Sequence, residues 1–288
     1  MKQRVISGVI IAALIVGAGV LGGYALAALI MVCSMIGFQE LARATGVLEP
    51  GQKVNPLTGF ALIMAAASYI GLMVMQARWG ADPKQLVFSS DFFTMMIIVV
   101  AFLGLMTIYV LAFPRFRSEQ VMAAFFSFIY APVLMGFVYR TRTLPYGIFM
   151  YALIFVCSSV CDTCALAAGM AFGKHKMAPV LSPKKTIEGA VGGLIGSAVC
   201  SVIVAYLVKP AEPDADFRIQ FLIIGICGAL ISMIGDLSAS AIKRNHNIKD
   251  YGDLIPGHGG IMDRFDSIIF TAPLIYILGV FLLGTASF

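Results

Sequence analysis

Nine stretches of roughly 20 predominantly apolar residues constrain this chain more than any other feature, because each is long enough to cross a bilayer. They lie near residues 5–22, 24–42, 57–76, 92–113, 119–139, 146–172, 189–208, 217–242 and 265–284. In lipid the backbone must satisfy its own polar groups, and a helix does this within one segment. The chain is 60% hydrophobic and only 12% charged, with a mean hydropathy of +0.93, whereas a soluble domain is about half apolar and a quarter charged. The expected fold is an all-α polytopic membrane protein with about nine transmembrane helices. Gly22-Gly23 alone separates the first two spans and predicts a tight helical hairpin. Pro56, Pro83, Pro114, Pro145 and Pro183 fall between spans, where helix breakers belong; Pro132 and Pro273 fall within spans and predict kinks. The apolar run after Met1-Lys-Gln-Arg4 continues past the signal-like Ala25-Leu-Ala27, which predicts an uncleaved first span.

The net charge of +5 raises the question of nucleic acid. No basic patch with interleaved aromatics accompanies it, so a nucleic-acid partner is not expected. The basic residues instead sit in short loops. With nine spans, fourteen of them, from Lys2 and Arg4 to Arg264, fall on one side and six on the other. The positive-inside rule then predicts a cytoplasmic N-terminus and an external C-terminus, with residues 210–218 in an external loop and Arg140 and Arg142 as an outer interface pair. Trp79 with Arg78 reads as an interfacial anchor. All six cysteines lie in apolar segments and read as packing residues; Cys161 and Cys164 form a CxxC without a fourth ligand or a loop to enclose an ion. Residues 1–145 are expected to be packing helices, with possible dimer contacts. Residues 146–288 are expected to be the catalytic region, within a single integral membrane unit.

Two polar loops, 173–188 and 243–264, fall on the same predicted cytoplasmic side. Asp236, Ser240 and Lys243 are spaced i, i+4, i+7 and share one helical face. Asp263 and Asp266 share a face if the last helix begins near Met262. Carboxylates converging from two helices suit Mg²⁺, which takes one or two carboxylates plus waters and substrate phosphates. The glycines of Pro256-Gly-His-Gly-Gly260, with His258, Gly259 and Gly260, permit close backbone approach and offer N–H donors to an anion. Asp162 lies deep in a span, where an ionisable group is by default functional or paired. Ser182, Lys184, Lys185 and Thr186 offer hydroxyls and cations to a polyphosphate. Glu188 begins the next helix, where it complements the dipole. His175 and His246 read as solvated, without an identifiable partner.

The run Ser240-Ala-Ile-Lys243-Arg244, Lys249-Asp250, Gly252, Pro256-Gly-His-Gly-Gly260 and Asp263-Arg264-Phe-Asp266 resembles the signature of bacterial phosphatidate cytidylyltransferases, also called CDP-diglyceride synthases. Asp162-Thr, Phe172-Gly-Lys-His-Lys, Ala178-Pro and Ser182-Pro-Lys-Lys-Thr-Ile-Glu-Gly189 resemble the other motif region of that family. Two positions depart from the pattern: Leu166 replaces an aromatic residue, and Ala239 replaces a larger or acidic one. The resemblance implies conversion of CTP and phosphatidate to CDP-diacylglycerol and pyrophosphate at the cytoplasmic face of the plasma (inner) membrane, in phospholipid biosynthesis. It implies Mg²⁺ held by Asp236, Asp263 and Asp266, with room for a second cation. Catalytic roles would fall to Asp263, Asp236, Lys184 and Asp266. Substrate contacts would come from Asp162, Ser182, Lys185, Thr186, Ser240, Lys243, Arg244, Lys249, Asp250, His258, Gly259, Gly260 and Arg264. A homodimer is also implied. Two other functions compete with this one: a transporter using Asp162 and Asp236 as an ion relay, and a CTP-dependent lipid kinase releasing CDP.

Overall fold

Each apolar stretch forms a helix in the computed structural model, which describes residues 2–49, 51–208, 216–255, 257 and 259–283. The helices are α1 (Lys2–Leu21), α2 (Gly23–Ala44), α3 (Pro56–Trp79), α4 (Pro83–Leu111), α5 (Ser118–Thr143), α6 (Gly147–Phe172), α7 (Ile187–Val208), α8 (Arg218–Asn245) and α9 (Met262–Leu282). Among the described residues, α2 to α9 are long and apolar enough to span a membrane, and the apolar part of α1, Gly8–Leu21, is shorter. The protein is an all-α polytopic membrane protein, as its spans imply.

Local sequence explains where the helices begin and break. Gly22 and Gly23 both have positive φ, so α1 and α2 meet at a two-glycine corner. Asn55 caps α3 by accepting from the Thr58 N–H at 2.9 Å, with Pro56 at the first helical position. Helix α4 begins at Pro83 rather than at residue 92, because Asp82 caps it through the Gln85 N–H at 3.2 Å. Within α5, Ile129–Val133 forms a π-helical turn around Pro132. The Tyr69 hydroxyl donates to the Pro132 carbonyl at 3.0 Å, which supplies a neighbour's hydrogen bond to a proline-disturbed helix. A second π-helical turn, Val156–Val160, interrupts α6 just before Asp162.

The chain divides into two compact units: residues Met1–Tyr139 with His246–Arg264, and Arg140–Asn245 with Phe265–Phe288. In the first, Leu26, Ile30, Phe38, Leu41, Leu57 and Tyr69 are fully or almost fully buried. In the second, α7 carries Gly189, Gly193, Ser197, Ser201 and Ala205 at four-residue intervals, all buried. Small residues at this spacing let membrane helices approach closely. A Cβ on Gly193 would stand 2.8 Å from the Cys161 carbonyl of α6. On the other flank, Ser197 donates to the Gly225 carbonyl of α8 at 3.1 Å. The sulfurs of Cys157, Cys161 and Cys164 pack against glycines of α7 and α8; all six cysteines are free.

One element departs from an all-helical reading. The 173–188 loop is a small antiparallel hairpin of β1 (Lys176–Ala178) and β2 (Ser182–Thr186), pairing Lys176 with Thr186 and Ala178 with Ser182. Arg140 also departs from its expected place as an outer interface residue. It is 3% exposed, donates to the Tyr276 hydroxyl at 2.8 Å, and lies 4.3 Å from the centre of that ring. A guanidinium can be buried this way because an aromatic face and a hydroxyl replace its water. Arg78 does stack on Trp79, at 5.3 Å.

Candidate active site

Within the Arg140–Asn245 unit, α6, the hairpin, α7 and α8 enclose a cleft of about 410 Å³. Its charged lining is Asp162, Lys184, Lys185 and Asp236; Leu166, Met170, Met177 and Met233 supply the apolar lining. The hairpin is pinned at its base in two ways. Thr186 is buried, and its hydroxyl accepts from the Gly189 N–H at 3.1 Å, capping α7. Glu188 accepts from the backbone N–H groups of Lys174 and His175 at 3.1–3.3 Å, and its carboxylate lies 2.6 Å from His175 Nδ1. His175 therefore has a partner, and Glu188 does more than complement the helix dipole. Together these contacts fix the strand that carries Ser182, Lys184 and Lys185.

Lys185 forms an ion pair with Asp236, and each side chain is about a quarter exposed. Gly235, immediately before Asp236, lets α8 press onto α9: a Cβ there would stand 2.8 Å from the Asp266 carbonyl. Asp162, Asp236 and Asp266 consequently lie within electrostatic range of one another, with Lys185 and Lys243 as the nearby cations. Asp236, Ser240 and Lys243 are all half-buried, in keeping with one shared face of α8, while Lys184 and Arg244 are exposed. Of the motif residues, Asp162, Lys184, Lys185, Thr186, Asp236, Lys243 and Asp266 are thus brought together.

The first unit holds the remaining motif residues. Asp263, 7% exposed, heads α9. Its Oδ2 accepts the N–H of Tyr251 at 2.8 Å and of Gly260 at 3.0 Å. Gly257 and Gly259 have φ of 79° and 83°, the left-handed region that favours glycine, and the Ile255 N–H closes the turn onto the Gly259 carbonyl at 2.9 Å. Lys249, Asp250 and Arg264 are exposed around this loop; His258 lies outside the described residues. A residue that motif reading passed over, Glu40 near the end of α2, is 3% exposed. It accepts from the N–H groups of Ile261 at 3.1 Å and Met262 at 2.9 Å. Its only sequence signal is a carboxylate near the end of an apolar span, in Gly37-Phe-Gln-Glu40-Leu-Ala.

Among the described residues no three carboxylate, imidazole or thiol groups form a ready-made metal cage. The donors present nonetheless suit Mg²⁺, which takes few protein oxygens and completes its shell with waters and phosphates. Asp263 is held by two N–H donors on one oxygen, as ligating carboxylates usually are. Within the second unit, clustered Asp162, Asp236 and Asp266 are hard oxygens in their own right.

An α-helical multi-pass fold with carboxylates and lysines in a half-apolar cleft defines a polytopic membrane protein with a charged site among its helices. The sequence model of the cytidylyltransferase family matches residues 2–282. Phosphatidate cytidylyltransferase of Staphylococcus aureus (strain COL) is 32% identical over 282 residues, covering 96% of this chain and 98% of the relative. The enzyme of that name from Bacillus subtilis (strain 168) is 30% identical over 281 residues, covering 96% and 97%. Its counterpart from Staphylococcus saprophyticus is 41% identical over 165 residues, 56% of this chain and 61% of the relative. The chain belongs to the cytidylyltransferase family and is a nucleotidyltransferase enzyme.

Proposed function

We propose that this enzyme converts CTP and phosphatidate to CDP-diacylglycerol and pyrophosphate. The reaction would take place at the cytoplasmic face of the cell membrane, as a step of phospholipid biosynthesis, and would depend on Mg²⁺. The observation that carries this reading is the cleft in which Lys184, Lys185, Asp162 and Asp236 share walls with methionine and leucine side chains. Its mixed lining suits a phosphate ester that keeps its acyl chains in hydrocarbon.

In the proposed reaction a phosphate oxygen of the lipid attacks the α-phosphorus of CTP in line. The bond from that phosphorus to the bridging α–β oxygen breaks, and pyrophosphate leaves with its electron pair. Both attacker and leaving group are anions, so catalysis consists mainly of positioning and charge neutralisation. Lys185, already held against Asp236, is aimed to accept a phosphate in exchange for part of that ion pair. Lys184, exposed on the same strand, and Lys243 and Arg244 at the end of α8 extend the cationic surface. Asp236, Asp263 and Asp266 are the proposed Mg²⁺ ligands, the last two one turn apart on α9. Bound Mg²⁺ would neutralise phosphate charge and orient the α-phosphorus. No side chain serves as a nucleophile, so no covalent enzyme intermediate forms. N-terminus inside, C-terminus outside and a homodimeric assembly complete the proposal; the positive-inside count supports the orientation.

The test is conversion of α-labelled CTP by purified protein with phosphatidate and Mg²⁺ in detergent, beside Asp263→Asn. Labelled CDP-diacylglycerol with pyrophosphate from the wild type alone supports both the reaction and the Asp263 role. Lipid product from both proteins removes Asp263 as an essential group. Release of CDP instead of pyrophosphate identifies a lipid kinase, and no product from folded, lipid-supplemented protein overturns the proposal.

A further inference from the structure

Glu40 belongs to no motif of the site, yet it is the least exposed acidic residue among the described residues. Its two oxygens are used separately: Oε1 accepts from Ile261 N–H and Oε2 from Met262 N–H. Those donors belong to the head of α9, where backbone N–H groups have no partner inside the helix and the helix dipole is positive. The next residue is Asp263, which takes the N–H groups of Gly260 and Tyr251. Four backbone donors around the glycine loop are thus divided between two carboxylates, two each. Gly252 and Gly260 lie directly against Glu40, and a Cβ on Gly252 would come 2.6 Å from Oε1. Both sides of the loop therefore close on this carboxylate.

This division has a chemical consequence. The loop N–H groups at 260–262 resemble an anion-binding nest, but internal carboxylates already occupy them. These three N–H groups are therefore engaged within the protein, and the loop's task is to hold Asp263 still. We propose that Glu40 is the positioning residue for Asp263: it fixes the loop and the first turn of α9 so that the Asp263 carboxylate points in one direction. The proposal rests on the functional reading of Asp263 given above.

A glutamine at position 40 has one acceptor oxygen and an NH₂ that would face the second N–H, donor against donor. An aspartate keeps both acceptors but is one methylene short. The experiment compares the wild type, Glu40→Gln, Glu40→Asp and Gly252→Ala in detergent. The readouts are kcat and KM for CTP in the labelled-CTP assay, and hydrogen–deuterium exchange of peptides covering 251–264. For Glu40→Gln the expected result is a fall in kcat of about thirtyfold, on the scale that sub-ångström misplacement produces. KM should stay within about threefold, exchange should accelerate at 260–263, and exchange in α3 and α7 should not change. Glu40→Asp should recover part of kcat. Gly252→Ala, which crowds the carboxylate without removing it, should fall in the same direction as Glu40→Gln. Faster exchange at 260–263 with kcat within threefold of wild type would overturn the proposal. So would acceleration throughout the protein in both Glu40→Gln and Gly252→Ala, since the effect would then be on the whole fold. If the wild type itself makes no CDP-diacylglycerol, the proposed function fails, and the local exchange pattern alone decides whether Glu40 holds the loop.

Discussion

Replacing Gly235 by alanine tests whether the close approach of α8 and α9 sets the geometry of the carboxylate cluster. The added Cβ would stand 2.8 Å from the Asp266 carbonyl oxygen and 3.1 Å from Phe270, whereas ordinary contact begins at 3.4 Å. The first neighbour is backbone and cannot rotate away, so the helices must separate by roughly 0.6 Å at this point. Overpacking of this kind costs about 1–3 kcal/mol of stability. Since a displacement of about 1 Å can cost about a hundredfold in rate, 0.6 Å between Asp236 and Asp266 predicts a fall in kcat of about tenfold. The control is Gly228→Ala on the same helix, whose Cβ would crowd the Cys157 sulfur. It lies seven residues, about 10 Å, from Gly235 along the helix axis. Steady-state kinetics with labelled CTP and thermal unfolding in one detergent provide both readouts. Equal losses of kcat in the two variants at equal losses of stability would refute the argument, because the effect would then be general loosening. An unchanged kcat for Gly235→Ala would refute it as well.

Lys185→Ala should lower kcat/KM for CTP by about a hundredfold. It should cost less than about 1 kcal/mol of stability, because the ion pair with Asp236 is partly solvated; kinetics and thermal unfolding separate the two effects. Tyr276→Phe removes the acceptor of the buried Arg140 donor and should cost about 1–3 kcal/mol, read by thermal unfolding, with little change in kcat. Chelation with EDTA should abolish turnover and added Mg²⁺ should restore it, while an unaffected rate would remove the metal from the proposal.

Span positions were legible in the sequence because hydrophobicity over 20 residues leaves one physical solution in lipid. The corner at Gly22-Gly23 was legible because nothing but glycine intervenes. Grouping of Asp236, Ser240 and Lys243 followed from helical spacing alone. The hairpin was not legible: Ser182-Pro-Lys-Lys-Thr186 has neither alternation nor β-branched richness, and the strand exists because Thr186, Glu188 and His175 tie it to α7. Glu40 and Arg140 were missed for a related reason. Their partners lie 221 and 136 positions away in sequence, and no local pattern signals such a distance. Counting Arg140 towards topology treated it as a solvated charge, whereas an aromatic face and a hydroxyl had replaced its water.

The π-helical turn Val156–Val160 has a consequence for how this cleft could arise or be lost. Such a turn holds one more residue than the α-helical turn it replaces. Asp162 lies just beyond it, so the aspartate's direction depends on that additional residue. Deleting one residue from the turn would restore a continuous α-helix and rotate everything on one side relative to the other by about 100°. Asp162 would then swing out of the cleft, or the N-terminal half of α6 would turn its buried Met150, Leu153 and Ile154 out of the core. The place of Asp162 in the cleft is therefore set by chain length as much as by residue identity, and a one-codon deletion that leaves every charged residue in the sequence would displace either it or the core that supports it.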